Sequence, residues 1–355
     1  MRKMMKKAAA LSMAAVMAAA MAGCGSSSTE TETAETTEAA AEDAEETAAE
    51  EDTAAEADGE AEDTAGEEKT YRIGVLQYVQ HDALDKCNEG FIEALDASGI
   101  SYEVDQQNAA GDTPTTIAQK FVNDGDDLIF AIATPAAQAC AAETEEIPIV
   151  LTGVTDPAGS GLVDTNEAPG GNVTGSSDLT PVAEQIDLLQ QILPEAKTVG
   201  ILYCSAESNS EIQAQLAHEA CEAAGLTAVD YTVSTSNDIQ TVVESMVGNV
   251  DAIYAPTDNI IAAGMPTVAM IANENKLPII AGEEGMCNAG ALATYSIDYK
   301  ELGKVAGEMA VQILTEGASP AEMPIEYYPS EMLQLVVNEE TAAELGIDVA
   351  GITLE

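Results

Sequence analysis

Tyr71-Arg-Ile-Gly-Val-Leu-Gln-Tyr78, followed by Leu84, Cys87, Phe91 and Leu95, is the stretch from which the fold is read. The first run is β-branched and aliphatic, with apolar residues on consecutive positions, as a strand covered on both faces requires. The residues after it recur at three- and four-residue intervals and predict an amphipathic helix. The same alternation continues through Ser101–Asp105, Leu128–Ala133 and Ile147–Thr152. It restarts at Thr198–Cys204, Leu226–Val233, Ala252–Ala255 and Leu277–Ala281, with Ile212, Leu216 and Ala220 marking one of the intervening helices. Strand alternating with helix predicts a parallel sheet with right-handed crossovers. Two such runs predict an α/β protein of two doubly wound lobes.

Between the runs lies Gly170-Gly-Asn-Val-Thr-Gly175, and then Pro181 opens a long helix, so the chain passes from one lobe to the other here. A strand at Ala291–Ile297, a helix over Asp298–Leu314 and a late strand at Leu333–Asn338 fit a chain that recrosses. The expected division is 70–178 plus about 297–325 for lobe 1, and 179–296 plus about 326–355 for lobe 2.

Upstream the character changes. Arg2, Lys3, Lys6 and Lys7 precede an uncharged Ala/Met/Leu stretch, Ala8–Ala22, too short for a stop-transfer helix, so residues 1–23 read as an export signal. Ala22-Gly23-Cys24 resembles a lipobox, with Met21 where Leu is usual, which makes Cys24 the expected lipidation site. Acyl chains there would tie the protein to the membrane, on the extracellular face or facing a periplasm. Gly25–Glu68 carries 18 acidic residues, no Lys or Arg and no aromatic. Such a segment buries too little apolar surface to offset chain entropy, so 24–69 is expected to be a disordered tether.

The whole chain has 63 acidic and 12 basic side chains, a net charge of −51. That field repels nucleic acid and strongly anionic ligands, and it leaves zwitterions and cations acceptable. Apart from Cys24, the cysteines are Cys87, Cys140, Cys204, Cys221 and Cys287, an odd number without close pairs. Neither a disulfide framework nor a zinc site is indicated, and no metal or cofactor is expected. A single copy of the chain is expected to act as a monomer.

Polar residues gather just after strands and before helices: Gln77 and Tyr78; Thr134; Thr155 and Asp156; Glu207, Asn209 and Ser210; Thr257, Asp258 and Asn259; Glu283. In a parallel sheet these loops share one edge, where ligands bind, and two such edges face to face make a cleft. Each residue has a structural alternative. Thr134 before Pro135 fits an N-cap, Ser208 with Glu211 fits a capping box, and Asp156, Thr257 and Asp258 fit turns. As ligand groups, the helix starts after Thr134 and Ser208 suit a carboxylate, and Asp258, Glu283 or Asp156 suits an ammonium. Tyr78 and Tyr203 suit either core packing or contact with an apolar ligand side chain. His81 is expected at a helix start beside the cleft and His218 on a helix surface.

Catalytic signatures are missing: no G-x-S-x-G, no Walker A loop, no H-E-x-x-H and no dinucleotide fingerprint. No catalytic residue is assigned, although a hydrolase built on paired carboxylates stays open. With no Trp and three Phe, stacking surface for a sugar is scarce.

Several stretches together resemble the tryptophan/tyrosine-type ABC-transporter solute-binding proteins, within the type I periplasmic-binding fold. They are Ile73–His81 with Ala83–Asp85, Ile117–Phe121, Ala131–Gln138, Val154–Pro157, Pro169–Gly175, Pro256–Asn259, Ala281–Gly285 and Gly290–Thr294. The resemblance implies two α/β lobes joined by three crossings and closing on a small molecule like a hinged clamp. It implies an aromatic or large apolar amino acid as ligand, with Thr134, Thr155, Asp156, Asn209, Ser210, Asp258 and Glu283 around its head group. It also implies delivery to an ABC permease with its ATPase. A surface sensor using the same clamp is the alternative.

Overall fold

A computed structural model describes residues 69–109 and 113–352. The export signal, the lipidation site Cys24 and the tether up to Glu68 fall outside the described residues.

The first run of elements is β1 (Thr70–Gln77), α1 (Asp82–Ser98), β2 (Ser101–Asn108), α2 (Pro114–Asp124), β3 (Leu128–Ile132), α3 (Thr134–Glu143), β4 (Ile149–Val154) and β5 (Val173–Ser177). The second is α4 (Val182–Ile192), β6 (Thr198–Cys204), α5 (Ser208–Ala223), β7 (Thr227–Val233), α6 (Ile239–Met246), β8 (Ala252–Ala255), α7 (Asn259–Glu274), β9 (Ile279–Ala281), α8 (Glu284–Asn288) and β10 (Ala293–Ser296). The chain ends in α9 (Tyr299–Glu316), β11 (Glu326–Tyr327), β12 (Gln334–Val337) and α10 (Glu339–Leu345).

Two sheets result, ordered β11-β5-β4-β3-β1-β2 and β12-β10-β9-β8-β6-β7. Every pairing in the first is parallel, and in the second only β12 runs antiparallel, against β10. The chain changes sheet three times: after Ser177, after Ser296 and after Tyr327. Glu326 and Tyr327 pair with Ser176 and Ser177, so these two residues belong to the first lobe's sheet and not to the second lobe as expected.

Strands buried on both faces alternate their side chains between two cores. Leu128, Phe130 and Ile132 pack with α1 and α9, while Ile129 and Ala131 pack with α2 and α3. In the second lobe Ile253 and Ala255 pack with α6 and α7, while Ala252 and Tyr254 pack with α4 and α5. This alternation is why the runs read as continuously apolar.

Helix α9, reached after the second crossing, returns to lie on α1. Gly303 makes this possible: a Cβ there would run into the carbonyl oxygen of Cys87, and Gly90 faces Lys300 in the same way. Backbone thus meets backbone at the point where the crossing anchors in lobe 1. The five cysteines are all free and buried. Among the described residues no helix is long and apolar enough to cross a membrane.

Candidate ligand cleft

The carboxyl ends of the strands in each sheet feed the loops that the sequence singled out, and these loops meet across the cleft. His81 Nε2 lies 3.3 Å from Asn259 Oδ1. Gln213 donates to Thr155 Oγ1 over 3.0 Å, Gln138 to Ser208 Oγ over 3.4 Å, and Lys86 pairs with Glu284 at 3.2 Å. Between the two edges remains a cavity of about 10 Å³, room for one water, walled by Ala83, Leu84, Gly153, Ala262 and Met286. His81, Asp178, Thr257, Asp258, Asn259, Glu283 and Tyr299 supply its polar lining. A cavity of this size does not hold an amino acid.

Three acids at this cavity differ in how much hydrogen-bonding capacity they have left. Asp258 is spent on structure: Oδ1 accepts from Ile261 N over 2.7 Å, and Oδ2 from Cys204 N over 2.6 Å and from Ser210 Oγ over 2.7 Å. It is the N-cap of α7, and the ammonium role suggested for it is not supported by this geometry. Glu283 caps α8 in the same way, accepting from Gly285 N and from Met286 N over 2.7 Å. Asp178 is different. Among the described residues its carboxylate accepts two long hydroxyl bonds, from Thr155 Oγ1 and Tyr299 Oη, both 3.3 Å, with its own backbone N–H as the remaining donor. It is 5 % exposed, and burial pushes its carboxyl up to about 6. A buried carboxylate with free lone pairs at a cavity is the group that an ammonium satisfies best.

Burial also raises Glu283, to about 7, and raises the neighbouring pair Glu207 and Asp258, with the charge of Asp258 acting further on Glu207. Glu207 is held by Asn259 Nδ2 and, over 3.3 Å, by Ile260 N. The Tyr78 hydroxyl is raised first by burial and then by the charge of Glu207, which brings this lobe 1 residue against lobe 2.

Other sequence expectations divide. Thr155, Asn209, Ser210 and Thr257 are buried at the cleft: Asn209 donates to Thr257 O over 3.3 Å, and Thr257 N donates to Gln213 Oε1 over 3.2 Å. Gln77 turns away, donating to Val79 O over 3.0 Å and Asp85 Oδ1 over 2.7 Å, because its strand position faces the start of α1. Asp156 folds its own loop, accepting from Gly159 N over 3.0 Å and Asn166 Nδ2 over 3.1 Å. Tyr203 packs against the α4/α5 core, and His218 pairs with Asp230 at the surface.

Two capping expectations are corrected. The N-cap of α3 is Ala133, one residue earlier than Thr134, and it sits at φ 84°, a region that residues with a Cβ avoid. Thr134 becomes the first helical residue, and its buried Oγ1 has no partner. The N-cap of α5 is Glu207, so Ser208 and Glu211 form no capping box there. Strained backbone and an orphaned hydroxyl at a helix start are features that functional sites retain.

The sequence reading missed Asp178, Tyr299 and Gln213. Asp178 and Tyr299 follow β5 and β10, so the strand-end rule contains them, but the sequence places Asp178 only at the end of the first run and Tyr299 only in the helix over Asp298–Leu314.

The family profile described as ABC transporter substrate binding protein matches residues 72–353. A tyrosine-binding protein of Clostridioides difficile (strain R20291) is 44% identical over 283 residues, 78% of this chain and 81% of that protein. Among solved structures, the ABC domain from Streptococcus pneumonia in complex with L-Trp aligns with a TM-score of 0.77 at 38% identity, over 80% of this chain and 97% of that one. A ligand-free, open substrate-binding protein with adhesive properties from Clostridium difficile aligns with a TM-score of 0.61 at 42% identity, over 79% of this chain and 96% of that one.

Proposed function

Because the chain belongs to the ABC transporter substrate-binding protein family, we propose that it is a hinged clamp that captures an aromatic amino acid outside the cell. It delivers that ligand to an ABC permease and its ATPase, and acyl chains on Cys24 hold it at the membrane. The observation that carries the amino-acid reading is the pairing of complementary groups at one cleft. Asp178 offers a buried carboxylate with spare lone pairs to an ammonium. The start of α3 offers free N–H groups and the unpartnered Thr134 hydroxyl to a carboxylate. Leu84, Ala262 and Met286 give the side chain an apolar wall.

The ligand arrives when the lobes are parted and is buried when they close, so the contacts made by both lobes supply the affinity. Mass spectrometry of the small molecules released on denaturing the purified chain tests the reading. An amino acid with a ring is the expected species; release of a sugar or a nucleoside in stoichiometric amount would overturn it.

A further inference from the structure

The amino-acid reading leaves open how one side chain is chosen, and His81 bears on that choice. His81 stands at the N-cap of α1 with extended backbone, φ −159°, yet its ring caps nothing. Its Nε2 faces Asn259 Oδ1 across the cleft at 3.3 Å. The Asn259 amide is oriented from behind: Nδ2 donates to Glu207 Oε2, so the oxygen is the end turned to the ring. An amide oxygen only accepts, so the ring proton sits on Nε2 and Nδ1 is a bare acceptor. Burial holds the ring below the ordinary histidine value against the opposing effects of Asn259, Asp85 and Asp82, so it is neutral at pH 7. Nδ1 is buried and has no partner. The cavity that His81 lines carries an apolar wall, Leu84, Ala262 and Met286, alongside the polar residues already described. Nothing in the fold accounts for an acceptor left unpaired there, and such an atom is costly unless a ligand pairs with it.

We propose that His81 reads the ring of the bound amino acid through Nδ1, selecting a side chain that carries its own hydrogen-bond donor, a phenol O–H or an indole N–H, over phenylalanine. The proposal rests on the amino-acid reading above and narrows it. The apolar wall of Leu84, Ala262 and Met286 carries no side-chain nitrogen or oxygen acceptor with which to tell the three aromatic side chains apart by a donor. The donor makes the difference, because phenylalanine leaves Nδ1 buried and unpaired. The loss of one such bond corresponds to about 10- to 100-fold in affinity.

The test is calorimetric titration of the purified full chain with tyrosine, tryptophan, phenylalanine and leucine, repeated on His81→Phe. The expected result is that tyrosine or tryptophan binds at least about 10-fold tighter than phenylalanine, and that His81→Phe brings the ratio within about threefold through loss of the tighter affinity. Phenylalanine binding as tightly as both, or a ratio unchanged in His81→Phe, overturns the proposal. Leucine binding best overturns it while the amino-acid reading stands; binding of no amino acid removes both.

The second readout needs no variant and decides alone if His81→Phe fails to fold. The chain has only 2 histidines, so the imidazole ¹⁵N resonances of His81 and the surface His218 are separable. The His81 Nδ1 signal is expected to move on adding the tighter ligand and to stay in place with phenylalanine; equal movement with both contradicts the proposal.

Discussion

Asp178→Asn separates ligand binding from stability. The carboxyl of Asp178 is raised from 3.8 to about 6 by burial. Keeping it charged in the closed clamp near pH 7 therefore costs about 3 kcal/mol relative to the unfolded chain. The direction follows from the raised value: the protonated form is favoured by folding, so this contribution to stability is full below pH 3.8 and lost as pH rises through about 6. Asparagine keeps an oxygen for Thr155 and Tyr299 and removes the charge. After allowing about 1 kcal/mol for the imperfect replacement of those bonds, a net gain of about 1–2 kcal/mol remains, a rise in Tm of several degrees for a domain this size. Binding moves the opposite way. Losing a buried charge partner for the ammonium costs about 2–5 kcal/mol, at least about 30-fold in Kd. Calorimetric titration and thermal unfolding at pH 7.5, on the same preparation, measure both. A variant that binds within threefold of the parent would refute the ammonium assignment, and a variant that melts lower would refute the desolvation argument beneath it.

Further expectations follow from the same geometry. Thr134→Val keeps the shape and removes the orphaned hydroxyl, so calorimetry should find affinity lowered about 5- to 50-fold with Tm unchanged or raised. Glu283 is raised to about 7, so its contribution is present below its ordinary 4.5 and lost through about 7; together with Asp178 this makes Tm fall between pH 5 and pH 8, less steeply in Glu283→Gln. Gly303→Ala places a methyl against the Cys87 carbonyl oxygen, and denaturant unfolding should find a loss of about 1–3 kcal/mol or more. Burial pushes the Cys140 and Cys287 thiols up to about 12, so a thiol reagent should leave all five buried cysteines unmodified until the chain is unfolded.

The fold was legible where burial on both faces produced apolar runs. Thr198–Cys204 and Ala252–Ala255 were delimited to the residue, since polar or turn-forming residues bound them. Glu326–Tyr327 was not, because a two-residue edge strand with exposed side chains has no pattern to read. The cleft's position was legible from the clustering of polar residues at strand ends. Roles within it were not, because caps and ligand sites use the same residue types. What decides for Asp258 are donors from Cys204 and Ser210, 54 and 48 residues away in the chain. For Asp178 it is the scarcity of such donors, which only the folded arrangement reveals. The φ of Ala133 is equally hidden, since alanine gives no sign of a strained backbone.

The central claim is a clamp whose two strand edges close on an aromatic amino acid. Small-angle X-ray scattering of the purified chain, with and without a saturating equimolar mixture of tyrosine and tryptophan, tests it most directly. The account predicts a smaller radius of gyration with the amino acids present and no change with leucine. An unchanged radius of gyration alongside a flat calorimetric trace for every aromatic amino acid would contradict it.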